Sequence, residues 1–313
     1  MLVCPDCRAA IAGDTSAADL SASCPGCGRL FPRIDGFLCF LPPLLAAAAY
    51  GGVEEDVQFL EQEDTTTRER FARYFVPLLR RWGLGADARI LCLGCGGAAD
   101  VAALAAHGYP ESFGVDIGWR ALWWREHGGD PARLCLADGR SLPFGDASFD
   151  AVVSLGVIEH IGAVGASATL EPDCAASRTS FLAEALRVLR PAGRLVLACP
   201  NRTFPIDFQH NSAPPGVRGR FAARTGMCVH SPFDRFLLGY ADVRRLAAHV
   251  APPLVVHPLP VAAYLGLHFR NSPFLRPLAT AFRGWLGMLD RLPEPLRASF
   301  LNPYMLVEIR RGA

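Results

Sequence analysis

Ala88–Leu104 reads ARILCLGCGGAADVAAL. The apolar run Ile90–Leu93 has the length of a buried strand, Gly94, Gly96 and Gly97 supply a bend, and the alanines, valine and leucine that follow recur at helical spacing. A strand that turns over glycines into a helix N-terminus lets a ligand approach backbone N–H groups, as at the opening of a nucleotide-binding crevice. Taken alone, Gly94-x-Gly96-x-x-Ala99 also fits a dinucleotide fingerprint, so the bend does not name its ligand.

Working outward, the strand–helix alternation continues through Ser112–Val115, Arg133–Leu136, Ala151–Ser154 and Leu195–Cys199, with Pro191-Ala-Gly193 expected to turn the chain before the last. This predicts an α/β fold with a doubly wound, Rossmann-like parallel sheet, whose ligands sit beyond the strand carboxyl ends. Asp116 follows the second strand, 22 residues after Gly94, and suits a pair of ribose hydroxyls. Asp138 follows the third, between Ala137 and Gly139, where an adenine amino group could donate. That third acidic station counts against a nicotinamide oxidoreductase.

With these stations in view, residues 85 to 200 resemble the class I S-adenosylmethionine-dependent methyltransferases. The resemblance is carried by LCLGCGG, GVDI ending at Ile117, LADGRSLPFGDASFDAVVSLGVIEHI and RVLRPAGRLVLACPN, in that order. It implies a cofactor site in which Gly94, Cys95 and Gly96 pass the methionine moiety, Asp116 and Ile117 take the ribose, Ala137, Asp138 and Gly139 face the adenine, and Ser154 and Leu155 border the sulfonium. Two positions depart from the family pattern. Cys92 stands where an acidic residue is usual and Ala98 where a third glycine is usual. The first removes a charge that helps position the cofactor's amino group, and the second adds a methyl group beside it. A metal arrangement used by some members needs Glu-x-x-Glu-His, and Gly156 occupies its first position here, so a catalytic metal is not expected.

Candidate general bases are Asp207 and His210, in the segment PNRTFPIDFQHN after the fifth strand, together with His160. Each also has a plain structural reading, His160 as a helix-start residue and the other two as hydrogen-bonding members of a proline-rich loop. Stretches of this kind are similar to those of methyltransferases from sugar and cell-envelope biosynthesis, which implies an oxygen or nitrogen of a small-molecule or glycan-like acceptor. The alternatives are an RNA or protein methyltransferase and a non-catalytic methyltransferase-like binding module.

The N-terminus adds a different chemistry. Cys4-Pro-Asp-Cys7 and Cys24-Pro-Gly-Cys27 are two C-x2-C turns with sixteen residues between them. Four thiolates close a tetrahedral structural zinc site with no open position, in a small N-terminal zinc ribbon. The following GRLFPRIDGFLCFLP resembles the tail of the small zinc-ribbon activator proteins that stabilise tRNA, ribosomal and release-factor methyltransferases. The expected division is a zinc ribbon over 1–43, a linker and leading helices over 44–84, and a methyltransferase domain over 85–313 with an insertion at about 262–300. In the leading helices Phe71, Tyr74, Phe75, Leu78 and Leu79 share one face, for packing on the sheet or for covering a cofactor.

The formal net charge is +1 and every basic residue but the histidines is arginine, scattered along the chain, so general nucleic-acid binding is not expected. The opening residues carry no basic segment followed by a long apolar core, and eleven cysteines in a chain of this length are expected as reduced thiols, so a cytoplasmic location is the expectation. Within the insertion Leu278, Phe282, Trp285 and Leu289 fall on one helical face among arginines, suited to core or lid packing or to contact with a membrane surface.

Overall fold

The run Ile90–Leu93 is buried at every position, as a central strand covered on both faces must be. In the computed structural model, residues 2–11, 21–42, 57–117, 120–163, 169–207, 228–229, 235–250, 253–265 and 276–312 are described. Contacts divide the chain into two units, Met1–Ser154 with Ser180–Leu195 and Leu155–Thr179 with Val196–Ala313.

The first unit begins with β1 (Ala22–Ser23), β2 (Leu30–Phe31), β3 (Arg33–Ile34) and β4 (Phe37–Cys39). Helix α1 (Val57–Arg70) runs through one widened π turn, Phe71–Phe75, into α2 (Val76–Arg81). In that turn the Val76 N–H reaches back to the Phe71 carbonyl, which brings Phe71, Tyr74 and Phe75 together on the buried side. The rings pack on one another, with centroids 4.6 Å apart for Phe71–Phe75 and 5.2 Å for Tyr74–Phe75. The sheet follows with β5 (Ile90–Leu93), α3 (Ala99–Ala106), β6 (Ser112–Asp116), α4 (Arg120–Glu126), β7 (Leu134–Leu136), β8 (Phe149–Leu155), α5 (Cys174–Val188) and β9 (Leu189–Pro200).

The strand order in this unit is β9-β8-β5-β6-β7-β4-β3. β5 pairs in parallel with β6 on one side and β8 on the other, which puts the topological switch at the carboxyl end of β5. The fold is thus the expected mixed α/β, Rossmann-like sheet, and β4 of the N-terminal segment adds to it. Leu38 pairs with Cys135 and Cys39 with Leu136, in parallel, and the Phe40 N–H donates to the Leu136 carbonyl at 2.7 Å. Phe37, Leu38 and Cys39 are buried there.

Pro191-Ala-Gly193 lies within β9, and at Gly193 the chain bends back close to the side chain of Leu189, four residues earlier, and to the Asp150 carbonyl, an approach that a fully extended run does not allow. An added Cβ would lie 2.7 and 2.9 Å from them.

In the second unit β10 (Ile206–Asp207) pairs with β11 (Cys228–Val229), and β12 (Leu254–Pro258) runs antiparallel to β13 (Tyr304–Arg311). Helix α6 (Tyr240–Val250) is anchored by the Tyr240 hydroxyl, which donates to the Tyr304 carbonyl and accepts from the Asn302 amide. Helix α7 (Arg276–Leu289) buries Leu286 and Leu289, and its Trp285 ring packs on Phe204 and Phe282, followed by the short α8 (Glu294–Arg297). Residues 266–275 of the expected insertion lie outside the described residues. Among the described residues no helix is long and apolar enough to cross a membrane.

Candidate functional site

Gly94 and Gly96 adopt φ of +80° and +53°, the left-handed region open to glycine, and so does Ala98 at +64°. The N–H groups of Gly94 and Cys95 both donate to the Val115 carbonyl, tying the bend to the end of β6. The Gly96 N–H then donates to Asp116 Oδ2 at 2.6 Å, and the Ile117 N–H to Asp116 Oδ1 at 2.7 Å. Each carboxylate oxygen keeps a second lone pair for a ligand hydroxyl. On the other side, the Trp124 indole N–H donates to the Gly96 carbonyl at 2.8 Å. Gly96 is thus fixed at both its donor and its acceptor.

The third station joins the first two through Ala137, whose N–H donates to the Asp116 carbonyl at 3.0 Å. Gly139 is buried against Phe181, where an added Cβ would lie 2.6 Å from the ring. The Asp138 carboxylate accepts the Arg140 N–H at 2.8 Å and both Nε and Nη2 of its guanidinium, so a local cation shares the group expected to face adenine. Ser154, at the end of β8, is buried with no partner for its hydroxyl among the described residues. Leu155 beside it is half-buried and Ile117 is exposed.

Sequence reasoning missed Asp100. It sits in the first turn of α3, buried, with Cys92 and Asp116 acting on its carboxylate. Burial pushes its carboxyl up to about 7, with the Asp116 charge adding to the rise against hydrogen bonds from the Val101 N–H and the Cys92 thiol. An acidic group therefore does stand beside residue 92, contributed by the helix instead of the strand. The signal was present as a lone aspartate inside an apolar helical run. Burial foremost also raises the thiols of Cys92 and Cys95 well above their ordinary value, keeping both neutral.

A cavity of about 670 Å³ is bordered by Gly97, Ala98, Trp123, His127, Arg68 and Arg133. Gly94, Asp116 and Asp138 do not line it.

The candidate bases lie in the second unit. His160 is exposed on the turn after β8, with its ring edge-on to Phe236 at 5.2 Å. Arg178, itself buried, braces that turn by donating to the carbonyls of Glu159, Ile161, Arg235 and Phe236. Asp207 is buried in β10, paired with Cys228. His210 lies outside the described residues.

Cys4, Cys7, Cys24 and Cys27 bring their Sγ atoms within 4.8 Å of one another. The Cys4–Cys27 and Cys7–Cys24 separations are 3.7 and 3.3 Å, near the ~3.8 Å between sulfurs arranged tetrahedrally at about 2.3 Å from one ion. The N–H groups of Gly26 and Cys27 donate to Cys24 Sγ. Although burial opposes it, these N–H groups and the neighbouring thiols lower the Cys24 thiol to about 6. The donor set and its spacing fit a metal ion.

Residues 91–197, from the first strand through the bend and both acidic stations into β9, match the family model for a methyltransferase domain. The chain carries a methyltransferase domain. No curated protein sequence matches the chain. Among solved structures, it is similar to a Haloferax volcanii complex between the Trm112 methyltransferase activator and a protein named as a methyltransferase, at 16% identity over 84% of this chain and 100% of that one, with a TM-score of 0.47. A Haemonchus contortus phosphoethanolamine N-methyltransferase 2 in complex with S-adenosyl-L-methionine is 15% identical over 84% of this chain and 61% of its own, with a TM-score of 0.42. A SAM-dependent methyltransferase from Aquifex aeolicus is 12% identical over 65% and 90%, with a TM-score of 0.41. The matched residues 91–197 span all the positions expected from the sequence for a cofactor, and of these Leu155 falls in the second unit.

Proposed function

We propose that this methyltransferase moves a methyl group from S-adenosylmethionine to an oxygen or nitrogen of a small-molecule or glycan-like acceptor. The observation that carries the cofactor is the hydrogen bond from the Gly96 N–H to Asp116 Oδ2. It fixes a carboxylate beside an open glycine backbone at the switch point, the position from which ribose hydroxyls are read. The Ser154 hydroxyl, buried without a partner among the described residues, and the neutral thiols of Cys92 and Cys95 fit a ligand laid across the strand ends. When bound, the cofactor supplies an electrophilic methyl group on a sulfonium. The chain's part is to orient it: Gly94, Cys95 and Gly96 along the methionine portion, Asp116 and Ile117 on the ribose, Ala137, Asp138 and Gly139 on the adenine, and Ser154 and Leu155 at the sulfonium. Asp207, His210 and His160 are the proposed groups for taking the acceptor's proton.

The four-cysteine cluster over residues 1–43 holds a structural zinc in this reading, because all four donors are sulfur and leave no position for chemistry. Within the 262–300 insertion Met288, Leu296 and Phe300 are exposed, and these are the apolar side chains proposed for any membrane contact.

Isothermal titration of the purified protein with S-adenosylmethionine tests the reading. Saturable binding that Asp116→Ala weakens at least tenfold is expected. Absence of binding, or equal binding by the variant, would sink it.

A further inference from the structure

Helix α4 presents two adjacent residues to the β3–β4 hairpin. The Phe37 ring of β4 meets the Trp124 ring nearly edge-on, with centroids 5.2 Å apart and planes at 75°. Both are buried, at 1% exposure each. Arg125, the next residue, pairs with Asp35 in the hairpin turn. Behind that contact, the Trp124 indole N–H is committed to the Gly96 carbonyl, and the Gly96 N–H to Asp116. A continuous line of packed or hydrogen-bonded groups therefore runs Phe37, Trp124, Gly96, Asp116, from the N-terminal hairpin to the ribose station.

From this geometry we infer that Trp124 is a positioning residue for the cofactor bend and that the hairpin, through Phe37, sets its ring. Gly96 is the residue most in need of such a partner. Its φ of +53° with nothing within 4 Å of its Cβ position leaves the backbone free to rotate unless its polar groups are held. Asp116 holds the N–H and Trp124 the carbonyl. Loss of the indole donor leaves a partly buried carbonyl unpaired and lets the bend relax away from the carboxylate. The edge-to-face contact with Phe37 fixes the indole plane, and so the direction of its N–H. In the Arg125–Asp35 pair the guanidinium is exposed to solvent, which screens the pair, so it contributes little by comparison. The hairpin is, on this inference, part of the cofactor site and not only a support for the fold. This rests on the reading of the bend as the methyl-donor site.

The test uses the full chain and S-adenosylhomocysteine as probe. Trp124→Phe keeps an aromatic ring against Phe37 and removes the donor, together with part of the ring's volume. Its affinity should fall roughly tenfold with circular dichroism unchanged. Phe37→Leu should weaken binding several-fold and move the Trp124 indole N–H resonance in a nitrogen-correlated spectrum, even without ligand. In the wild type that resonance should shift on saturation with the probe, a response that a purely structural tryptophan would not give. Should Trp124→Phe fail to fold, the last two measurements decide. A folded Trp124→Phe that binds as tightly as wild type, or an indole resonance indifferent both to Phe37→Leu and to the probe, overturns the inference alone. A folded wild type that binds no probe overturns the methyl-donor reading with it, and is told apart by that result.

Discussion

Asp100 and Cys92 face one another beneath the bend, the carboxylate from the first turn of a helix and the thiol from the strand that precedes it. Burial holds the carboxyl near 7 in the folded protein against its ordinary 3.8. Because the folded-state value is the higher one, the folded chain binds the extra proton between these values. Stability from this group is therefore fully present below pH 4 and is lost as pH rises through 7. Asp100→Asn keeps the shape without the charge, so its advantage over wild type should grow from pH 5 to pH 8 and reach about 2 kcal/mol or more, read from urea midpoints at each pH. Parallel curves for the two proteins would contradict it.

Glu184 is expected to act with the opposite sign. Although burial works against it, hydrogen bonds from Arg187 and the Leu142 N–H and the nearby charge of Arg8 hold its carboxyl below the usual range. Its contribution is present above the ordinary glutamate value and fades as pH falls through the lowered one. Glu184→Ala should cost about 2–4 kcal/mol at neutral pH, since it strips partners from Arg187 and from a buried backbone N–H, and the penalty should shrink in acid. Chemical denaturation at pH 7 and pH 3.5 gives both figures.

Ala98 precedes α3 in the left-handed region, with φ of 64° and ψ of 19°. An L-residue there carries strain of about 1–2 kcal/mol, part of which glycine gives back through its freer unfolded chain. Ala98→Gly should raise stability by about 0.5–1 kcal/mol, a shift of a few degrees in thermal midpoint. A lowered midpoint would show that the methyl group's packing outweighs the strain.

For the four-cysteine cluster, one zinc ion per chain is expected by elemental analysis. Chelation should lower the thermal midpoint of the sheet as well as unfold the first 42 residues, because β4 is hydrogen-bonded into the same ladder as β7. Metal-free protein with an unchanged melting curve would argue against a structural role.

Much of this was legible beforehand because it is local. Ile90–Leu93 announces itself by composition, the stations after each strand by glycine and aspartate, and the four cysteines by spacing. Ala98 was singled out as a missing glycine, and its positive φ is the reason glycine belongs there. What escaped was tertiary. Trp124 in a helix reads as core, and nothing in its neighbourhood says that its N–H serves Gly96. The pairing of Leu38 with Cys135 joins residues far apart through two short strands, each too brief to declare a partner.

The hairpin on β7 also changes what the sheet shows to other molecules. Without β4, β7 would end the parallel ladder with a row of unpaired backbone groups next to buried leucines, the kind of edge that recruits a strand from another chain. With it, the outermost strand is Arg33–Ile34, two residues long and charged, closed by the Arg33 guanidinium on the Gly36 carbonyl. The N-terminal segment thus acts as a built-in guard against strand-by-strand self-association.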